Sequence, residues 1–187
     1  MSKRLFVSVD LDGLAHAVAD VQQRFEDTAG LRLTDPEQAH VTLKFLGDTD
    51  PERVDDLVDA LETAVEDSGV DPFEAHFGGL GVFPSLDYIS VVWVGVREDH
   101  GDRELTALHE TVEDRTTAMG FEAEEHEFTP HATIARLDHA GGKAQVRRVV
   151  EHDDPDVGRL PVEELRLTES VLRDDGPVYR TVDSIAL

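Results

Sequence analysis

Two short stretches decide how this chain is read: His40-Val41-Thr42-Leu43 and His131-Ala132-Thr133-Ile134. In each, a His and a Thr stand two residues apart, with apolar residues at the intervening and following positions. Successive strand side chains point to opposite faces, so a strand puts His and Thr on one face and turns the apolar pair toward a core. Two such strands, one from each half of the chain, could gather two imidazoles and two hydroxyls around one small anion. That set suffices for acid–base chemistry on a phosphate ester, with no metal ion called for.

The chain has nine histidines, so two His-x-Thr strings are weak evidence by themselves. The bland reading is two half-buried strand histidines beside surface threonines. Context adds weight. His40 opens HVTLKFLGD, an alternating strand pattern that ends at a turn signal. His131 follows Phe128-Thr129-Pro130, and its strand continues to Arg136.

Outward from these strands, residues 4–10 read as a strand in which Leu5, Val7 and Val9 alternate with Phe6 and Ser8. Residues 12–28 read as a helix with Leu14, Val18, Val21 and Phe25 on one face. Asp50 is a good N-cap with Pro51 following, and Val54, Leu57, Val58, Leu61 and Val65 form a helical stripe. Strands near 73–83 and 88–97 come next, joined across Pro84-Ser85. A third helix runs from Leu105 through Leu108, Val112 and Met119 to Gly120. After the His131 strand come a short helix near 143–152 and closing strands near 162–173 and 177–185, turned at Asp174-Asp175-Gly176. The alternation alone could suggest a parallel βαβ protein, and the hairpin patterns leave an antiparallel one open.

Composition bounds the setting. There are 41 acidic against 17 basic residues, a formal net charge of −24, and no cysteine, which excludes disulfides and thiolate metal sites. Lysine occurs only at Lys3, Lys44 and Lys143. Neither a leader nor a membrane-spanning apolar run is visible, and the expected location is cytoplasmic. Apolar periodicity from end to end argues against disorder. A dense acidic surface suits molar salt, where the Debye length shrinks to about 3 Å, so a halophile's enzyme is expected. Affinity for long nucleic acid rests on several Lys/Arg–phosphate contacts, which points instead to a small site gripping one terminal phosphate.

The order and spacing of RLFVSVDL (4–11), HVTLKFLG (40–47), GGLGVFP (78–84) with VWVG (92–95), FTPHATIAR (128–136), Glu169-Ser170 and GPVY (176–179) resemble the two-histidine (2H) phosphoesterases. Within these the chain is similar to the RNA 2',3'-cyclic phosphodiesterases, also called 2'-5' RNA ligases. The resemblance covers nearly all 187 residues. It implies an α+β fold and a single bilobal domain over 1–187, with a pseudo-twofold axis and one His-x-Thr motif per lobe. Two antiparallel sheets would flank a central cleft, with helices outside.

The resemblance also implies chemistry. His40 would give a proton to the departing 3'-oxygen and His131 would take one from attacking water, leaving a 2'-phosphate end. Thr42 and Thr133 would bond the non-bridging oxygens. A 5'-hydroxyl in place of water would give a 2'-5' linkage without ATP. RNA 3' ends bearing 2',3'-cyclic phosphate, tRNA fragments among them, are the expected partners. No cofactor, metal, membrane or obligate protein partner is expected, and the chain is expected to be a monomer. An enzyme for a small cyclic nucleotide or ADP-ribose cyclic phosphate is the neighbouring alternative, and a non-catalytic RNA-end binding module a more distant one.

Four further residues are candidates for substrate binding. Strand parity puts Lys44 on the catalytic face, against the alternative of a solvated strand-end lysine. Arg136 matches the second signature but falls on the opposite parity from His131 and Thr133, so it reaches the cleft only if the strand twists or ends there. Phe45 and Tyr179 could stack a base, although aromatics in such strands are more often core. His109-Glu110 begins a zinc-protease-like pair that fails at Glu113, and His126 sits in an acidic stretch. His16, His76, His100, His139 and His152 lack partners at metal-ligand spacing.

Overall fold

Alternation of Leu5, Val7 and Val9 makes Lys3–Asp10 a strand (β1) whose apolar side is fully buried. The computed structural model describes residues 1–187. After β1 come helix α1 (Ala15–Gln22), β2 (Leu31–Leu33), β3 (His40–Thr49), α2 (Val54–Ser68), β4 (Phe73–Pro84), β5 (Ile89–Val96) and α3 (Asp102–Ala118). Then follow β6 (His131–Leu137), α4 (Lys143–His152), β7 (Asp156–Val162), β8 (Glu164–Arg173) and β9 (Gly176–Ala186).

Helix α1 is shorter than its apolar stripe predicts. Gly13 at φ +86° and Asp27 at φ +58° hold left-handed turns on either side, and a single 3₁₀ turn over Gln23–Phe25 carries Phe25 into the core. Asp50 does cap, its side chain accepting from the Glu52 amide at 2.9 Å. It caps a 3₁₀ turn over Pro51–Arg53, however, and α2 starts only at Val54. The strands β2 and β7 were not visible in the pattern. β7 contains Gly158 and Pro161, which an edge strand tolerates, and β7 is the edge of the sheet.

Every strand pairing is antiparallel. The spatial order is β7-β4-β5-β6-β3-β1-β8-β9, with β2 added beside β6. The two expected sheets are therefore β7-β4-β5-β6 and β3-β1-β8-β9. They meet through one paired position, Val41 opposite Ala132, and form one curled sheet.

The helices cross over between the halves. α2 and α3 pack on each other and on β9 and β3, whereas α1 lies on β6 and β7 and α4 on β4. So α1, which follows β1, covers the β6 half, and α3, which follows β5, covers the β3 half. A single core cluster runs through both, including Val7, Val41, Leu43, Val94, Ala132 and Ile134. Each of the Val, Leu and Ile side chains contributes about 1.5–3 kcal/mol by leaving water, and together they fix the junction where β3 and β6 begin.

Candidate active site

The two motif strands start side by side and run apart. Val41 and Ala132, opposite each other, are fully buried, while His40, Thr42, His131 and Thr133 are half-buried on the other face. Continuing the Val41–Ala132 register one step each way sets His40 opposite Thr133 and Thr42 opposite His131. Each motif histidine thereby stands at the level of the other motif's threonine.

Both rings are oriented in the same manner. His40 Nδ1 donates to the Gln38 carbonyl at 2.8 Å, and His131 Nδ1 donates to the Thr129 carbonyl at 2.6 Å. A carbonyl only accepts, so the proton sits on Nδ1 and each Nε2 is left to exchange protons with a ligand. Gln38 has a second task. Its side chain accepts from the Tyr179 amide at 3.0 Å and donates to the Pro177 carbonyl at 3.2 Å, tying β9 to the His40 strand.

One residue past each threonine the strand bulges. The β1–β3 register slips between Ser8–Thr42 and Val7–Lys44, leaving Leu43 as an extra residue. The β5–β6 register slips between Trp93–Thr133 and Val92–Ala135, leaving Ile134 as the extra. A bulge re-aims every side chain beyond it. Each bulge carbonyl accepts from a buried polar side chain on a helix: Leu43 O from His109 Nδ1 at 2.7 Å, and Ile134 O from Gln22 Nε2 at 2.9 Å as well as from the Thr34 amide at 3.0 Å. His109 is also stacked on Phe128, with ring centroids 4.2 Å apart. These anchors, with Gln38, are the residues that the sequence reading missed. The available signal was a polar residue set into an apolar helical stripe, Gln22 beside Val21 and His109 beside Leu108.

The bulges correct two parity expectations. Lys44 does not face the cleft: it is 1% exposed, and Nζ bonds Glu113 Oε2 at 2.7 Å and the Glu122 carbonyl. Burial would raise the Glu113 carboxyl, but bonds from Lys44 and the Glu124 amide outweigh it and hold its pKa below the usual value. Arg136, in contrast, is turned to the cleft face and is exposed there. The same shift takes Phe45 out beside Phe6, ring centroids 6.2 Å apart, where it is 66% exposed. Tyr179 stands edge-on to His40 at 5.0 Å, and Phe6 lies 5.0 Å from the same ring. A small pocket of about 70 Å³ opens there between His40, Phe6, Asp10, Gln38, Thr168 and Tyr179.

Electrostatics separate the two histidines. Burial pushes both imidazoles below their ordinary pKa of 6.5, partly offset in each by the Nδ1 bond. The Arg136 charge lowers both further. Only His40 has a carboxylate acting the other way, Asp10, its cross-strand partner on β1. Asp10 accepts from Ser8 Oγ at 2.8 Å and from Arg166 Nη1 at 2.7 Å, and the Ser8 and Thr168 hydroxyls are bonded at 3.0 Å. His131 has no such partner and is instead lowered by His40 itself.

Comparison with known proteins places the whole chain in a family. Residues 11–174 match the family model of the 2'-5' RNA ligase superfamily. A Methanothermobacter thermautotrophicus protein named RNA 2',3'-cyclic phosphodiesterase is 32% identical, with 100% of both chains covered. An Aeropyrum pernix protein of the same name is 35% identical over 81% of this chain and 84% of its own. The crystal structure of E. coli LigT complexed with 3'-AMP has the same fold, with TM-score 0.79 at 22% identity, covering 100% of this chain and 99% of that one. No helix is long and apolar enough to cross a membrane. The chain belongs to the 2'-5' RNA ligase superfamily.

Proposed function

We propose that this enzyme opens 2',3'-cyclic phosphates at RNA 3' ends to 2'-phosphomonoesters, with the acid–base work done by His40 and His131. The names of the relatives supply the substrate class. The observation that carries the mechanism is the matched pair of imidazoles, each with Nδ1 committed to a backbone carbonyl and Nε2 left free beside a threonine.

In-line displacement needs a proton acceptor on the side of the nucleophile and a proton donor on the side of the leaving oxygen. Asp10 favours the protonated form of His40, which suits it to protonate O3'. His131, without a carboxylate and beside the His40 charge, is the better neutral base for water. Thr42 and Thr133 then supply hydroxyl donors to the non-bridging oxygens as charge develops, with Arg136 adding positive charge. Tyr179 and Phe45 would stack the terminal base on the His40 side. With a 5'-hydroxyl in place of water the same groups make a 2'-5' linkage, the ring strain of the cyclic phosphate replacing a nucleoside triphosphate.

The test is turnover of an oligoribonucleotide ending in 2',3'-cyclic phosphate, at molar KCl with EDTA present. Conversion to a 2'-phosphate end, abolished in His40→Ala, is the expected result. A 3'-phosphate product overturns the proton assignments. Turnover only of free cyclic nucleotides transfers the reading to the small-molecule alternative, and binding of the RNA end without any conversion transfers it to a binding module.

A further inference from the structure

The surroundings of His131 contain something that hydrolysis leaves unexplained. Phe83 on β4 stands edge-on to the His131 ring with centroids 4.8 Å apart, and Trp93 on β5 lies 5.7 Å from it. The two aromatic rings are 5.2 Å from each other. The indole is laid flat along the sheet over two glycines. A Cβ on Gly81, its cross-strand partner, would fall 2.1 Å from Trp93 Cζ2, and one on Gly95 would fall 3.1 Å from Cζ3. Glycine weakens a strand interior and marks a place where another group must approach closely. Here that group is the ring itself. Both Trp93 and Phe83 are partly exposed.

We propose that Trp93 and Phe83 form the stacking subsite, on the His131 side of the cleft, for the nucleoside that brings the 5'-hydroxyl of the proposed ligation to the cyclic phosphate. The inference rests on the assignment of His131 as the base. In an in-line displacement the base and the nucleophile share one side of phosphorus and the leaving oxygen takes the other. The terminal ribose therefore departs on the His40 side, near Tyr179, and the incoming hydroxyl arrives beside His131. The O5'–P bond forms as P–O3' breaks; the O5' proton passes to His131 Nε2, and His40 Nε2 gives its proton to O3'. Water needs no aromatic platform to take this path, whereas a nucleoside does. Stacking accepts any base because each has a π-face, which suits joining ends of unspecified sequence.

Trp93 is the only tryptophan, so its fluorescence reports the subsite directly in the unmodified protein. Adenosine, which carries no phosphate, should quench the emission saturably, and should still do so when 2'-AMP already fills the phosphate site. Phe83→Leu should raise the half-saturating adenosine concentration about 5-fold, the loss of one aromatic neighbour. Emission untouched by millimolar adenosine, or quenching abolished by 2'-AMP, overturns the subsite. Hydrolysis of the cyclic phosphate RNA end in the same preparation separates the two readings. Turnover without quenching sinks the acceptor subsite alone; absence of turnover from the folded protein sinks both.

Discussion

The two halves of the sheet put unlike side chains on the same scaffold. Register alone sets the correspondence: Ser8 faces Thr42 as Trp93 faces Thr133, and Asp10 faces His40 as Gly95 faces His131. One strand further out, Arg166 faces Ser8 where Gly81 faces Trp93. The half around His40 thus carries a carboxylate, hydroxyls and a guanidinium, and the half around His131 carries an indole on glycine. Shared features, namely the bulge after each threonine, the trapped carbonyl and the Nδ1 bond, position the imidazoles. The differences assign them. Pseudo-symmetry by itself would give two interchangeable histidines; Asp10, on one side only, is the basis for the proposed division into acid and base.

Leaving-group chemistry puts the largest strain on that comparison. His40→Ala and His131→Ala should each lower turnover of a 2',3'-cyclic phosphate by about 10²–10⁴-fold, the usual contribution of a positioned acid or base. A cyclic substrate with sulfur in place of O3' departs without a proton. On it His40→Ala should recover most of its activity while His131→Ala stays impaired. Equal recovery of both variants, or recovery of His131→Ala alone, breaks the assignment.

Lys44 and Ala135 occupy equivalent positions after the two bulges, and both are buried. One half holds an ion pair there and the other a methyl group. Removing one partner of a buried pair costs about 3–5 kcal/mol, because the remaining charge is left uncompensated. Glu113 retains some contact with water, its side chain being 19% exposed, so Lys44→Ala is expected at the low end, about 3 kcal/mol in urea unfolding. Its kcat/KM, measured where the variant is fully folded, should stay within about threefold of the parent. A large fall in kcat/KM with unchanged stability would return Lys44 to the substrate.

A smaller, signed effect tests the electrostatic asymmetry. The alkaline limb of kcat/KM reports loss of the proton on the acid, and the acid limb reports protonation of the base. Since both imidazoles lie below 6.5, the profile should be centred on the acid side of that value. Asp10→Asn removes the one charge that favours His40 protonation, so the alkaline limb should move to lower pH while the acid limb holds. Arg136→Gln removes a charge that lowers both rings, and both limbs should move to higher pH. If Asp10→Asn shifts both limbs together, the carboxylate acts on the cleft as a whole and does not single out His40.

Strand parity put side chains on the right face as far as Thr42 and Thr133 and failed beyond the bulged residues, at Lys44 and Arg136. HVTLKF alternates without a break, yet Lys44 is buried and Phe45 exposed, because a bulge depends on which distant side chain takes up a carbonyl. Nothing local announces that His109 and Gln22 will do so. Strong periodicity made β1, β3 and α4 readable, the last to its end residues. Strand β7 was hidden because Gly158 and Pro161 are acceptable only at an edge, and edge status is a property of the finished sheet. The crossing of α1 and α3 to the opposite halves is likewise topological.

The halves differ last in the charge of their outer helices. α2 carries Asp55, Asp56, Asp59, Glu62, Glu66 and Asp67 with no basic residue, whereas α4 carries Lys143, Arg147 and Arg148 with Glu151. Asp55–Asp59 and Glu62–Glu66 are like-charge pairs one turn apart, each destabilising by about 0.2–0.5 kcal/mol. Glu66 and Asp67 oppose the dipole at the helix C-terminus, and Arg115 from α3 offsets this only at Asp67, 2.5 Å away. In α4 the Arg147–Glu151 pair, at 2.9 Å, is favourable. Molar KCl, with a Debye length near 3 Å, screens the repulsion in α2; about 0.1 M, with a Debye length near 10 Å, does not. Lowering salt over that range should raise amide hydrogen exchange in α2 about 5-fold, roughly 1 kcal/mol of local stability, and change α4 less. Equal loosening of both helices would place any salt dependence in the net charge of −24 and not in its distribution, and no change in either would separate the acidic surface from stability altogether.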